Sequence, residues 1–179
     1  MTIPQLGPTS LTDLQASVRS RLDDVSAEMR RMIEEDFPLI SEVNQHLLRM
    51  RGKMFRPTLV LLADQATGGP TARAATFAAV IEVIHLATLV HDDSVDHSTL
   101  RRGMPTINAL FSHQVSVIMG DFLYSRAVVE LVRLGNLDAL RILSRVTTAM
   151  TVGEMRQLLA DDPLSFGEPE YDLLIKAKT

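Results

Sequence analysis

The chain has no cysteine and no tryptophan, and aromatic residues make up only 4% of it. Without thiols there is neither a disulfide framework nor a thiolate nucleophile, a composition that suits an intracellular enzyme, so a cytoplasmic protein is expected. Basic residues are not in excess: 18 Lys and Arg stand against 22 Asp and Glu, a formal net charge of −4. A general nucleic-acid surface needs the opposite balance to release counterions from phosphates, so no nucleic-acid partner is expected. Any anionic ligand must be held by a few local cations. Long apolar runs are missing too. The richest stretch, 77–90, is broken by Glu82 and His85, which reads as a buried helix and not as a transmembrane segment. The opening "MTIPQLGPTS" has neither the basic nor the apolar region of a secretory signal. What is present, 46% hydrophobic against 22% charged residues, is enough for a core, and residues 1–179 are read as a single helical domain.

Helical periodicity dominates and strand alternation is nearly absent, which predicts an all-α antiparallel helical bundle. Thr12 with Gln15 resembles a capping box opening a first helix that runs to about Phe37-Pro38. A second covers Leu39 to about Met50 and is interrupted by Arg51-Gly52. A third begins near Pro57 and stops at Gly68-Gly69-Pro70. Thr71 then caps a long apolar helix. Thr106 can cap a short helix, followed by helices over 115–134, 137–159 and from Glu170 onward.

The long helix ends in "LVHDDSVDHSTLRRGMP", Leu89 to Pro105. At about 100° per residue, Asp96 lies about 40° round from Asp92 and one turn along, so both carboxylates point to one side. His85, Thr88 and Leu89 share that side, and Asp93 sits at its edge. Two carboxylates about 6 Å apart repel by roughly 3 kcal/mol at an effective dielectric of 20. They need a counter-ion. Carboxylate oxygens match Mg²⁺, which usually keeps waters and a phosphate in its shell, and there are too few ligands for a closed Ca²⁺ cage. Arg101 and Arg102 follow, with guanidinium forks that fit phosphate oxygens in pairs. Metal plus arginines implies a diphosphate. The bland alternative is a solvated helix end whose acids and bases pair with one another. The cluster's place at the end of an apolar helix, where a helical cavity would meet solvent, favours the site.

The order of these features resembles the trans-isoprenyl diphosphate synthases, the polyprenyl synthetases, in "GKMFRP" (Gly52–Pro57), "IEVIHLATLVHDD" (Ile81–Asp93), "DDSVDHSTLRRGMPT" (Asp92–Thr106) and "YDLLIKAKT" (Tyr171–Thr179). The resemblance implies an isoprenoid synthase fold, and places Asp92, Asp93 and Asp96 in the first aspartate-rich motif, with Asp92 and Asp96 as the direct Mg²⁺ ligands. It implies that Lys53, Arg56, His85 and Arg102 hold isopentenyl diphosphate. Arg101, Lys178 and Thr179 would hold the allylic diphosphate, with Gln157, beside Gly153-Glu154, in a segment lining the same cavity. The expected reaction adds isopentenyl diphosphate to an allylic diphosphate.

Product length would be set by a shaft gated, in the family, five and four positions before the first aspartate, here Ala87 and Thr88. Both are small, which implies a product longer than farnesyl diphosphate unless Ile84 or Ile81, deeper in the helix, blocks the shaft. One departure is large. Complete members carry a second aspartate-rich motif downstream, and Asp161-Asp162 lacks the third aspartate. The expectation is therefore a subunit that is inactive alone and completed by a chain carrying that motif, in a heteromer or higher oligomer. A truncated synthase, a non-catalytic regulatory subunit and a terpene cyclase are the alternatives. A cyclase would have no use for "GKMFRP" and His85, because it binds no isopentenyl diphosphate.

Overall fold

Ser10, and not Thr12, opens the first helix in the computed structural model of the chain, which describes residues 10–50, 52–159 and 167–178. The Ser10 hydroxyl accepts from the Asp13 amide while the Asp13 carboxylate accepts from the Ser10 amide, so the capping box lies two residues earlier than its Thr12–Gln15 look-alike. Helix α1 (Leu11–Gln15) passes through a 3₁₀ turn (Ala16–Val18) into α2 (Arg19–Ile33). Pro38 then starts α3 (Pro38–Arg49), where a missing N–H costs nothing. Helix α4 covers Phe55–Ala66 and α5 covers Ala74–Val95, the latter entered through Arg73 and not capped by Thr71.

After α5 the chain makes a small antiparallel hairpin, β1 (Leu100–Arg101) with β2 (Met104–Pro105), that helical periodicity does not foretell. Its two turn residues, Arg102 and Gly103, are both left-handed, at φ 53° and 77°, the geometry that matches the twist of a two-residue hairpin. The short α6 (Ile107–Leu110) follows, with Thr106 at its N-terminus but its hydroxyl donating to the Ser98 carbonyl. Ser112 caps α7 (His113–Arg133).

Two compact units can be described, 1–134 and 135–179. In the first, α5 is the central element, packed by α2, α4 and α7. Val80, Val83 and Ala87 of α5, Val25 of α2, Leu61 of α4 and Leu123 of α7 are all buried, so the apolar run of α5 supplies the middle of this core. Serines tie α5 to α7: Ser116 donates to the Val90 carbonyl at 3.1 Å, and Ser94 meets the His113 ring at 2.6 Å. In the second unit α8 (Leu137–Leu159) packs on α9 (Glu168–Lys178). Gly153 makes that approach possible, since a Cβ there would lie 2.8 Å from the Ala177 Cβ.

Candidate functional site

A tight corner between α3 and α4 places the first two cations. Met54 adopts a left-handed φ of 52°, and its carbonyl accepts from both the amide and the hydroxyl of Thr58 at the start of α4. Gln15 closes the corner from α1, donating to the Lys53 carbonyl at 2.8 Å and to the Thr58 hydroxyl at 3.0 Å. Lys53 and Arg56, both exposed, therefore project from a fixed backbone. The hairpin brings the third cation across. His46 meets the Pro105 carbonyl at 2.8 Å, and Arg102 donates to the Met50 carbonyl at 2.8 Å.

One cleft is lined by Gly52, Lys53, Met54, Phe55, Arg56, Glu82, His85 and Arg102. All four side chains expected to hold isopentenyl diphosphate are thus together. A second, more apolar pocket continues from Glu82, His85 and Arg102 past Met29, Leu47, Leu86 and Leu89 to Asp93 and Arg101. Glu82 is the residue that sequence reasoning passed over. It looked like a polar break in an apolar run, yet it lies among the cations of the cleft, with one carboxylate oxygen buried and unpartnered. Burial raises its carboxyl pKa, against the pull of Arg56 and Arg102.

His85 is half-buried one turn from Glu82. Burial, and then the guanidinium groups of Arg56, Arg102 and Arg101, push the imidazole down to about 4. It is neutral near pH 7, and so a hydrogen-bond donor or acceptor to an anion and not a further positive charge. Stability follows from the sign. A histidine whose folded pKa lies below its unfolded value contributes stability that is present above about pH 6.5 and is lost as pH falls toward 4. Allowing for the exposed half of the ring, the loss is about 1 kcal/mol. Glu82 acts oppositely, its raised pKa removing stability as pH rises, so the two must be separated by mutation. We expect His85→Gln to retain about 1 kcal/mol more of its pH 7 stability at pH 4.5 than the parent does. Urea titrations at both pH values check this, and identical losses in both proteins would refute it.

At the end of α5 the three aspartates separate. Asp92 is half-buried and Asp96 exposed, on the shared face that the helical spacing predicts. Asp93 is turned toward an arginine. It is 4% exposed, and its two oxygens accept from Arg101 Nε, each at 2.8 Å, with Arg101 Nη2 also 2.8 Å from one of them. The bidentate fork holds Arg101 in one orientation. Among the described residues no group of three or more His, Cys, Asp or Glu is arranged to hold an ion alone. Two carboxylates a turn apart instead fit a hard cation that completes its shell with water and phosphate oxygens.

The remaining predicted residues divide. Ala87 and Ile84 are buried, Thr88 and Ile81 half-buried, and Thr88 donates to the His85 carbonyl at 2.8 Å. Gln157 is exposed on α8, Lys178 is the last residue of α9, and Thr179 lies outside the described residues.

The polyprenyl synthetase family matches residues 37–179. The chain belongs to that family. It is 37% identical over 155 residues to the octaprenyl diphosphate synthase of Escherichia coli, covering 87% of this chain and 48% of that one. It is 34% identical over 158 residues to heptaprenyl diphosphate synthase component 2 of Bacillus subtilis, covering 88% and 45%. A polyprenyl synthase structure from Caulobacter crescentus, complexed with calcium and isoprenyl diphosphate, superposes with a TM-score of 0.91 at 32% identity, over 97% of this chain and 53% of that one. The fold of this family member is therefore of the isoprenoid synthase type. The chain spans about half the length of the curated relatives it matches.

Proposed function

We propose that this polyprenyl synthetase chain carries the isopentenyl diphosphate cleft and the first aspartate pair of a trans-prenyltransferase, completed by a second chain with the other aspartate-rich motif. The convergence of Lys53, Arg56, His85 and Arg102 on one cleft beside Glu82 carries the reading. Three cations and a neutral imidazole suit a diphosphate, with Lys53 as a point charge and the arginines as paired donors. Asp92 and Asp96 suit Mg²⁺, which when bound would neutralise the allylic diphosphate and stabilise it as a leaving group. Arg101, fixed by Asp93, offers a pre-oriented cation near that end of the pocket, where electrostatic stabilisation of developing charge needs no reorganisation. Leu86 and Leu89 keep the wall between the two ends apolar and exclude water from a carbocation. The C–O bond of the allylic diphosphate breaks with the electron pair leaving on diphosphate, the double bond of isopentenyl diphosphate attacks the resulting allylic cation, and the new cation loses a proton to the released diphosphate. No nucleophilic side chain is required.

Support for a partner comes from α8, where Ile142, Val146, Val152, Met155 and Leu158 are all exposed. The name of the B. subtilis relative also describes one component of a synthase. Calorimetric titration of the chain with isopentenyl diphosphate should show binding that weakens about tenfold or more in Lys53→Ala and in Arg56→Ala. Undiminished binding in both would overturn the cleft assignment. Incubation with Mg²⁺, an allylic diphosphate and labelled isopentenyl diphosphate should give little product from the chain alone, and robust turnover would overturn the need for a second chain.

A further inference from the structure

The Arg102 guanidinium lies against bare backbone. A Cβ built on Gly52 would stand 2.8 Å from Arg102 Nη1, 2.9 Å from Nη2 and 3.2 Å from Cζ, all well inside the roughly 3.5–4.0 Å at which such atoms pack. Both terminal nitrogens lie nearer to it than Cζ does, so the Nη1–Nη2 end of the fork abuts the glycine. The same fork donates through Nη1 to the Met50 carbonyl at 2.8 Å. We propose that Gly52 is a positioning residue: the missing side chain at position 52 is the seat that fixes how the Arg102 fork is presented to the diphosphate cleft. The proposal deepens the reading of the cleft given above and rests on it.

The rest of the geometry makes this seat the deciding constraint. The backbone of Arg102 is set by the hairpin turn, at φ 53° beside Gly103. The hairpin is held by the His46 bond to Pro105 and by the Thr106 and Asn108 bonds to the Ser98 carbonyl. The side chain must therefore reach back from a fixed origin to the end of α3, where among the described residues Met50 and Gly52 meet its far end. Gly52 is not among the glycines with left-handed φ. Alanine there meets no backbone strain, only the movable end of an arginine, so the fold should tolerate it while the fork is displaced and its bond to Met50 lost.

The test is a double-mutant cycle on the full 179-residue chain, titrated calorimetrically with inorganic diphosphate in the presence of a chelator, so that only the cationic cleft is read. Gly52→Ala should bind about tenfold more weakly, with a urea midpoint lowered by no more than the loss of one hydrogen bond. Arg102→Ala should bind at least as weakly, and adding Gly52→Ala to it should change nothing further. In an Arg102→Lys background, which has no planar fork to seat, Gly52→Ala should again have no effect. Full affinity in Gly52→Ala beside weakened Arg102→Ala would overturn the proposal, as would additive losses or a large fall in the Gly52→Ala urea midpoint. If Arg102→Ala binds as the parent does, or the parent does not bind at all, the reading of the cleft itself fails.

Discussion

On the reading proposed above, replacing Asp92 by alanine should lower the turnover of the completed prenyltransferase about a thousandfold, a loss of ~4 kcal/mol of transition-state stabilisation. On that reading, Asp92 and Asp96 are the carboxylates presented to a hard cation, while Asp93 pairs with Arg101. Removing one halves the protein's share of the ligands. Its effect on folding should be smaller than its effect on turnover, since the substitution lies in the last turn of α5 and removes one of two neighbouring like charges. Steady-state rates at saturating Mg²⁺, with urea stability of the same variant, check both halves. Activity equal to the parent's in the assembled complex would favour the regulatory-subunit reading over the catalytic one. Asp93→Ala separates the roles further: it should release Arg101 and leave a buried site poorly filled, so its loss of activity should come with a loss of stability that Asp92→Ala does not show.

Which parts of this were legible in the sequence follows from how local each signal is. Helices α3, α5 and α8 could be read because proline, paired glycines and apolar spacing are properties of neighbouring residues. The shared face of Asp92 and Asp96 is likewise a matter of helical pitch. The capping box was misplaced because Ser10–Asp13 and Thr12–Gln15 both satisfy the three-residue spacing, and only backbone geometry distinguishes them. The hairpin escaped because two-residue strands are too short to alternate, and its turn uses arginine where asparagine or aspartate is usual. Glu82 was invisible as a site residue for a different reason. Its significance lies in Arg56 and Arg102, which come from α4 and from the hairpin, so nothing in its own neighbourhood marks it. The Asp93–Arg101 fork lies between: the charges stand eight residues apart in one motif, but which aspartate the arginine takes depends on the hairpin turning the chain back toward the buried side of α5.

The same rotation of α5 divides the two residues expected to gate product length. Thr88 lies about 40° from Asp92 and one turn deeper, whereas Ala87 is about 140° away. Ala87 is on the side where Ser94 and the Val90 carbonyl meet α7, and it is only 1% exposed. A phenylalanine ring at 87 must enter the packing between two helices, with an expected destabilisation of about 1–3 kcal/mol. At 88 the ring instead extends along the face that carries the aspartate pair, where a growing apolar tail would start. We therefore expect Thr88→Phe to shift the assembled synthase to products at least one or two isoprene units shorter at near-parent stability. Ala87→Phe should lower the urea midpoint, and any shortening it causes should come with that penalty. Chromatography of the dephosphorylated products, run beside urea titrations of both variants, decides the matter. An unchanged product distribution in Thr88→Phe would show that the shaft does not follow this face of α5, and Ile84 and Ile81, deeper on the same helix, would then lose their part in it as well.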